Sequence, residues 1–462
     1  MDIENTRGEA LGTTTLPMAF PFGAAVFFVV FTFLNLPYQI KVFGLIRPTV
    51  LATVLFFILI LANGDVMKER FNLRSAKWLG VLVLWVALTI PLVRYPGSVI
   101  NKNFEGFAKW ALFFPLIVAF VDSERRLRIL VYAFVVCMVI RSLDPLYLHY
   151  AHGYWGSRAY WNSSGHFMLR LSGAPWDTEG PNGLAEVCAV TFLFLHNWAF
   201  CPGTTKKRKI VYALLVPPIV WSLILTGSRS GLLALGFNVL LIIWYSKRRA
   251  LGLAAVFLAA LIIVPHLSGI QKDRFLSIVD THTKNASTAA GRIQGLEQNI
   301  ALWRRRPLFG YGLGTSFEAS FNYQDATHMA HDIYTQTLIE VGLGGFIIMM
   351  GYMLSVYQTA FRMLKAMKGY KATWPDGHIL LWLPRTLLIW AGMNFFFDLA
   401  SYGLSSYEWY FMGGLTAVCA RLLEARIASG TDNTAAVLNE SSRKSEQIER
   451  THQRRPLLAI FE

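Results

Sequence analysis

The sequence is poor in charge and in cysteine. Only 15% of its 462 residues are charged, whereas 54% are hydrophobic, and a typical soluble domain carries about 25% charged residues. The four cysteines, Cys137, Cys188, Cys201 and Cys419, have neither metal-binding nor disulfide spacing and are interpreted as small core residues. This composition argues against a soluble globular protein and predicts a membrane protein.

Apolar stretches of nearly membrane-spanning length recur along the chain. They predict an all-α integral membrane protein with about twelve transmembrane helices. The predicted spans are 16–36, 43–62, 78–93, 107–121, 127–144, 183–200, 210–227, 230–246, 250–268, 331–357, 379–398 and 407–423. Together they form a polytopic membrane domain of residues 1–423. Residues 424–462 are polar and aperiodic, which predicts a disordered cytoplasmic tail.

The net charge of +15 is distributed loop by loop. Basic runs such as "KKRK" at 206–209 and "KRR" at 247–249 alternate with loops that hold few Lys or Arg residues. This pattern predicts that the basic face is cytoplasmic, and it argues against binding to nucleic acid.

Two long segments, 145–182 and 269–330, are predicted to emerge on the opposite, outer face. In the second segment, apolar residues recur at helical spacing between 291 and 305, which predicts an amphipathic helix on the membrane surface. We expect the chemistry of the protein on this face.

An arginine separates two apolar stretches in "LTGSRSGLL", residues 225–233. An arginine at the membrane centre costs about 2.5 to 3.5 kcal/mol on insertion scales, so Arg229 needs a compensating role. The flanking Gly227 and Gly231 permit a tight reversal whose backbone N–H groups, together with the guanidinium, predict an anion pocket. The alternative is a hairpin arginine that reaches a lipid phosphate.

A second arginine, Arg292, falls in the first turn of the predicted surface helix. The free N–H groups and the dipole at a helix start favour a bound phosphate there, and a solvated surface charge is the alternative. The following "PLFGYGLG", 307–314, lacks the spacing of a nucleotide-binding loop and is interpreted as a flexible turn.

The stretch "HMAHDIYTQTLIEVGLGG" begins with titratable residues and runs directly into an apolar helical pattern. Helical spacing puts His331 and Tyr334 on one face at the outer mouth of the tenth predicted span. There the imidazole can accept a proton from a sugar hydroxyl. His328 raises the alternative of a metal site, but H-x-x-H-D differs from the zinc spacing H-E-x-x-H. A structural alternative is a histidine that caps the start of the helix, with Asp332 in the first turn.

Two carboxylic acids lie at the outer ends of predicted spans. Glu186 follows Pro181 and Asn182, which are placed to start the sixth span, and Asp398 ends the eleventh. Each acid is a possible partner of a hydroxyl or an arginine, or an ordinary interface residue.

The predicted topology places Arg229, Arg292 and His331 at the same outer surface. Two fixed cations and a base suit a donor with a phosphate-rich leaving group and an acceptor that supplies a hydroxyl. Because nucleotide sugars and ATP are absent on that side, the donor must carry its activation on a lipid. The three residues therefore predict glycan transfer from a polyprenyl diphosphate.

Three sequence motifs resemble the O-antigen ligase and O-antigen polymerase superfamily of bacterial envelope proteins. They are "TGSRSG", then "GR" followed by "W" and "RPLFGYGLG", then "HDIYTQTLIEVGLGG", and "GPNGLAE" is similar to the same family's entry to the preceding span. The resemblance covers about residues 181–350. The sequence departs from it with Asp332, where many members carry Asn, and with Ser230, where glycine is frequent.

The resemblance implies a bundle related to the GT-C glycosyltransferases and a metal-independent, inverting transfer that needs no cofactor. The implied donor is a glycan on undecaprenyl diphosphate, handled at the periplasmic side of the bacterial inner membrane. Arg229 and Arg292 would bind the diphosphate and His331 the acceptor. The supporting candidates are His328, Asp332, Tyr334, Asp398 and Glu186.

The sequence leaves the acceptor open. A ligase hands the glycan to the lipid A core or to another envelope acceptor, whereas a polymerase joins it to a second lipid-linked glycan. A transporter is a more remote alternative. Pro217 and Pro218 interrupt the seventh predicted span, but the ionisable residues cluster at span ends rather than at mid-membrane.

Overall fold

The computed structural model describes residues 19–40, 53–54, 58, 64–156, 160–161, 167–177, 179–276, 287–324, 332–369, 377–401 and 403–428. These residues are almost entirely helical. One small antiparallel hairpin pairs β1 (Tyr160–Trp161) with β2 (Phe167–Met168).

The described residues contain the following α-helices. In chain order they are α1 (Ala19–Phe33), α2 (Leu36–Gln39), α3 (Gly64–Arg70), α4 (Arg74–Thr89), α5 (Pro96–Ser98), α6 (Phe104–Ala111), α7 (Phe113–Phe120), α8 (Glu124–His152), α9 (Pro181–Ala199), α10 (Lys206–Leu225), α11 (Arg229–Tyr245), α12 (Arg249–Ile263), α13 (Gly269–Leu276), α14 (Ser287–Arg305), α15 (Ser316–Gln324), α16 (Ile333–Ala366) and α17 (Ile379–Phe397), and α18, residues 408–428.

Within the described residues, seven helical segments are long and apolar enough to cross a membrane. They are Arg74–Leu92, Pro96–Phe120, Glu124–His152, Lys206–Leu225, Arg249–His266, Ile333–Ala366 and Ile379–Phe397. The prediction of a helical membrane protein is confirmed. The count of twelve spans stays a prediction, and the second predicted span, 43–62, lies almost wholly outside the described residues.

Helix α9 forms the centre of the bundle and packs against α8, α10, α11 and α17. Most of its side chains are buried. Aromatic rings link the surrounding helices, because Phe134 of α8 contacts Phe194 of α9, Trp390 of α17 and Phe411 of α18. Such ring pairs add to the burial of apolar area and fix the helices relative to one another.

The bundle has two distinguishable ends. We call the end where α8 finishes at His152 and α9 begins at Pro181 the site end. The opposite end, where α8 begins at Glu124 and α10 begins at Lys206, is the basic end. Pro181 is the first residue of α9, as predicted, because its fixed φ suits a helix start and its missing N–H needs no partner there.

Helix α16 is broken at Gly342, which adopts φ 70° and ψ −175°. A break inside an apolar bundle exposes backbone groups that must find new partners. The N–H of Leu343 donates to the carbonyl oxygen of Pro307 at 2.8 Å.

The segment 307–314 fills this break. The N–H groups of Tyr311 and Gly312 donate to the carbonyl oxygens of Ile339 and Glu340, at 2.8 and 2.9 Å. Tyr311 is fully buried. The interpretation of this segment as a flexible turn is therefore wrong, because its backbone replaces the hydrogen bonds that α16 loses.

Several element bounds differ modestly from prediction. Helix α8 extends to His152, so residues 145–152 are helical rather than part of an outer segment. The predicted surface helix 291–305 is present as α14, which begins earlier, at Ser287. Helix α18 continues to residue 428, and residues 429–462 lie outside the described part of the chain.

Candidate active site

A tight turn joins α10 to α11 at the site end. Gly227 adopts a left-handed φ of 56°, and Ser228 caps α11 by accepting a hydrogen bond from the N–H of Gly231 at 3.2 Å. A Cβ at Gly231 would lie 2.3 Å from the Cβ of Ala185. The first turn of α11, which begins at Arg229, therefore sits directly against α9.

Two further arginines contact this turn. Arg170 donates from Nε to the carbonyl oxygen of Thr226 at 2.7 Å, and Arg274 donates from Nε to the carbonyl oxygen of Gly227 at 2.9 Å. Arg274 is only 7% exposed. With Arg229, which begins α11, three guanidinium-bearing residues gather at one turn, which we call the arginine turn (residues 226–229 with Arg170 and Arg274).

Arg170 and Arg274 were not among the predicted site residues. Arg274 is one of seven Lys or Arg residues in the segment 269–330, so its sequence context does not distinguish it. The contact of both arginines with the turn follows only from the fold.

The arginine turn is also tied to the start of α9. Asn182, the second residue of that helix, accepts hydrogen bonds at Oδ1 from Arg170 Nη2 at 3.0 Å and from Ser228 Oγ at 2.9 Å. The N-terminus of α9, the turn and the segment around Arg170 thus form one polar unit.

The long segment after α12 is anchored at both of its described ends. On α13, Gln271 and Arg274 contact the carbonyl oxygens of Ile224 and Gly227. On α14, Asn299 donates to Thr335 Oγ1 in the first turn of α16, at 3.0 Å. The segment therefore connects the arginine turn to the start of α16.

Arg292 lies on α14, seven residues before Asn299, which is about 10 Å along a helix axis. Its backbone is helical, as predicted, and its side chain lies outside what the structure describes. The docking of Asn299 places this helix across the start of α16.

His328 and His331 lie outside the described residues. The next residue, Asp332, is extended and is the N-cap of α16, where its carboxylate accepts from the Thr335 N–H at 2.6 Å and from the Thr335 hydroxyl. The cap is therefore Asp332 itself, whereas the structural alternative places Asp332 in the first turn of the helix. Helix α16 begins at Ile333, and the predicted shared helical face of His331 and Tyr334 stays a prediction because His331 is outside the described residues.

Tyr334 and Asp398 join α16 to α17 at the site end. The Tyr334 hydroxyl donates to the carbonyl oxygen of Phe395 at 2.8 Å. The N–H of Ile333 donates to the carbonyl oxygen of Asp398 at 3.0 Å, and the carboxylate of Asp398 accepts from Trp409 Nε1 at 2.7 Å. The segment that contains His331 therefore ends beside the C-terminus of α17.

Glu186 is buried, 6% exposed, one turn below Asn182 on α9. It interacts electrostatically with Asp398, Glu408, Glu179 and Arg141. This acid therefore lies between the arginine turn and the residues that hold the start of α16.

A buried ion pair accompanies these acids. Arg141 of α8 contacts both carboxylate oxygens of Asp177, at 2.7 and 3.0 Å, and Glu179 at 3.3 Å. This pair was also missed, although a charge inside a predicted span, 127–144, is itself a signal for a functional or paired residue. It fixes the loop before α9 to the bundle.

The described residues offer no cluster of three or more His, Cys, Asp or Glu side chains that could hold a metal ion. His328 and His331, on which the metal alternative depends, are outside that set. The chemistry that the described site supports is anion binding by arginine.

Fold and site together define a helical membrane protein with three arginines gathered at one end of its bundle. Residues 212–350 match the protein family described as O-antigen ligase. The match runs from α10 through the arginine turn and α14 to just past the break in α16, so the resemblance to the O-antigen ligase and polymerase superfamily is confirmed. The family indicates activity of the O-antigen ligase or polymerase type. No curated protein matches the chain.

Proposed function

We propose that the protein transfers a glycan from undecaprenyl diphosphate to an acceptor hydroxyl on the periplasmic side of the bacterial inner membrane. The acceptor is the lipid A core or another envelope acceptor. The single observation that carries the proposal is the arginine turn, where Arg170 and Arg274 contact the backbone directly before Arg229. A gathering of fixed guanidinium groups suits a diphosphate, whose oxygens accept charge-assisted hydrogen bonds.

In the proposed reaction, the acceptor oxygen attacks the anomeric carbon of the first sugar. The bond from that carbon to the diphosphate oxygen breaks, and the diphosphate leaves with the electron pair. The acceptor proton passes to the imidazole of His331. Arg229 and Arg292 stabilise the charge that grows on the departing diphosphate, and each such contact contributes about 1.5 to 3 kcal/mol.

The placement of the neighbouring segments supports this assignment. Helix α13 docks on the arginine turn, and α14, which carries Arg292, docks on the first turn of α16. His331 immediately precedes Asp332, the cap of that same helix. These two docking contacts, one beside Arg229 and one on the helix that carries Arg292, support the proposal that the three residues serve one site.

A reconstituted transfer assay tests the assignment. With purified protein in liposomes and a polyprenyl-diphosphate glycan as donor, we expect Arg229→Ala and His331→Ala to abolish transfer while the protein still inserts and folds. Arg248→Ala, an exposed arginine at the basic end, serves as the control and should keep its activity. Full activity in either site variant would refute the role of that residue.

A deletion strain separates the two possible acceptors. Loss of all polymer on the envelope acceptor, with long lipid-linked chains accumulating, indicates a ligase. Single repeat units in place of chains indicate a polymerase that joins lipid-linked repeats.

The orientation in the membrane is tested by cysteine labelling. The native cysteines are all buried, so single cysteines introduced as Asn285→Cys and Asp325→Cys should dominate the signal. We expect an impermeant thiol reagent to label both from the periplasm, because the basic short loops predict a cytoplasmic location for the opposite face of the membrane. Labelling only from the cytoplasm would reverse the proposed topology.

A further inference from the structure

Asn182 receives two hydrogen bonds on a single oxygen atom. Its Oδ1 accepts from Ser228 Oγ at 2.9 Å and from Arg170 Nη2 at 3.0 Å. The two donors come from different parts of the chain, one from the turn before α11 and one from the segment before α9. A half-buried amide at the second position of α9 thus joins both sides of the arginine turn.

The contact fixes the guanidinium of Arg170 at two points. Nε is held by the carbonyl oxygen of Thr226 at 2.7 Å, and Nη2 is held by Asn182. Because a guanidinium is planar and rigid, two separate anchors define the orientation of the whole group. Loss of the Asn182 anchor would remove one of the contacts that set this orientation.

The Asn182 side chain also determines the hydrogen bonds of the Ser228 hydroxyl. The Ser228 hydroxyl gives its proton to Asn182, and its oxygen accepts from the N–H of Gly231 as the cap of α11. Asn182 therefore supports the helix start at Arg229 as well as the orientation of Arg170.

We propose that Asn182 is a positioning residue of the diphosphate site, acting through Arg170 and Ser228 to hold the arginine turn in its anion-binding arrangement. The inference rests on the proposed function, since it takes the diphosphate as the ligand of the turn. In this role Asn182 does not contact the phosphate. It holds the side chains of the turn in place beforehand, so that less conformational entropy is lost when the anion binds.

The chemistry of the side chain explains why an amide suits this position. A carboxylate would accept the same two hydrogen bonds, but its charge would neutralise Arg170 and repel the diphosphate. The neutral oxygen orients Arg170 without reducing the positive charge of the site. Asp has nearly the same shape as Asn but carries a negative charge. Asn182→Asp therefore preserves a purely structural role of this side chain and disrupts a role at an anion site.

The test is binding of inorganic diphosphate to the full-length protein in detergent micelles, measured by calorimetry. We expect Asn182→Ala to weaken binding about tenfold. Because Asn182 acts partly through Arg170 and partly through Ser228, the loss of affinity in the double variant with Arg170→Ala should be smaller than the sum of the two single losses. Asn182→Asp should fold like the wild type and yet bind diphosphate at least about tenfold more weakly.

A matched control lies on the same helix. Asn197 is buried near the opposite end of α9. In the described part of the chain, its side chain donates a hydrogen bond to the carbonyl oxygen of Leu193, within the same helix. Asn197→Ala should change thermal stability without changing diphosphate affinity. A loss of affinity in the Asn182 variants but not in this control assigns the effect to the site.

Other results would overturn the inference. Wild-type affinity for diphosphate in Asn182→Ala or Asn182→Asp would contradict a positioning role, and so would additive losses in the double variant. The proposed function would remain intact in these cases if Arg229→Ala still loses affinity for diphosphate. If neither the wild type nor any variant distinguishes diphosphate from other anions, both the inference and the proposed function fail.

Discussion

At the scale of the single residue, Gly342 shows most directly how the backbone constrains the sequence. Its φ of 70° lies in the left-handed region, and a Cβ there would lie 2.1 Å from the carbonyl oxygen of Leu308. That neighbour is backbone and is itself held in place by the hydrogen bond from Leu343 to Pro307. A side chain at this position has no space to occupy.

We predict that Gly342→Ala strongly destabilises the protein. The left-handed backbone alone costs about 1 to 3 kcal/mol for a residue other than glycine, and the clash with Leu308 adds to it. The measurement is the thermal unfolding of the purified protein in detergent.

Gly236 of α11 provides the control, because it is exposed and helical and no neighbouring atom lies within 4 Å of the place that a Cβ would take. Gly236→Ala should leave the stability unchanged or raise it by up to about 1 kcal/mol. Equal unfolding temperatures for the two alanine variants would contradict the proposed strain at Gly342.

At the scale of the element, α14 is held over the start of α16 by a specific hydrogen bond rather than by apolar contact alone. Asn299 is buried and donates to Thr335 Oγ1, and Thr335 in turn bonds to the cap Asp332. A small apolar cluster of Leu302, Tyr311, Ala319 and Ile339 packs under the same helix. The helix that carries Arg292 is therefore fixed against the segment that follows His331.

We predict that Asn299→Ala lowers the rate of glycan transfer about tenfold or more, because it releases α14 from α16 and lets Arg292 move relative to His331. The measurement is the reconstituted transfer assay. Glu297→Ala changes an exposed residue on the same helix and should keep wild-type activity. If both variants transfer equally well, the docking of α14 does not position the site.

At the scale of the whole molecule, a polar junction closes the basic end. Glu124, at the start of α8, contacts His378 Nε2 at 2.6 Å and Arg426 Nη1 at 2.8 and 2.9 Å. His378 Nδ1 also accepts from the N–H of Leu380 at 3.3 Å and so caps α17. Helices α8, α17 and α18 are thereby joined far from the arginine turn.

This junction makes stability depend on pH. Burial lowers the pKa of His378, although the Glu124 carboxylate opposes that shift. The unfolded chain therefore takes up a proton more readily than the native protein. The stabilising contribution is complete above the ordinary histidine pKa of about 6.5 and is lost as the pH falls through that value towards the lower native pKa.

We predict that the unfolding temperature decreases when the pH is lowered from about 7.5 to about 5, and that His378→Asn reduces this dependence. His266→Asn, at an exposed histidine, is the control and should retain the wild-type pH profile. An unchanged slope in His378→Asn would exclude His378 as the group responsible.

The sequence predicted the local features of the site well. The turn at Gly227 and Arg229 and the helix start at Pro181 depend on residues that are near one another in the chain, where turn and helix-start preferences apply directly. The misreading of 307–314 shows the limit of that reasoning. The glycine content of this stretch is typical of a flexible turn. Only the structure shows that the broken helix α16 lies beside it and receives its backbone hydrogen bonds.

What the sequence alone determined is the class of the protein and the position of its most conspicuous arginine, because the length of a hydrophobic run and the cost of a charge within it are local quantities. Only the tertiary structure brought Arg170, Asn182, Ser228 and Arg274 together. These residues lie on separate segments, and nothing in their spacing indicates that they meet. Their contacts follow from the packing of α9, α11 and α13 at one end of the bundle, which is a property of the folded chain as a whole.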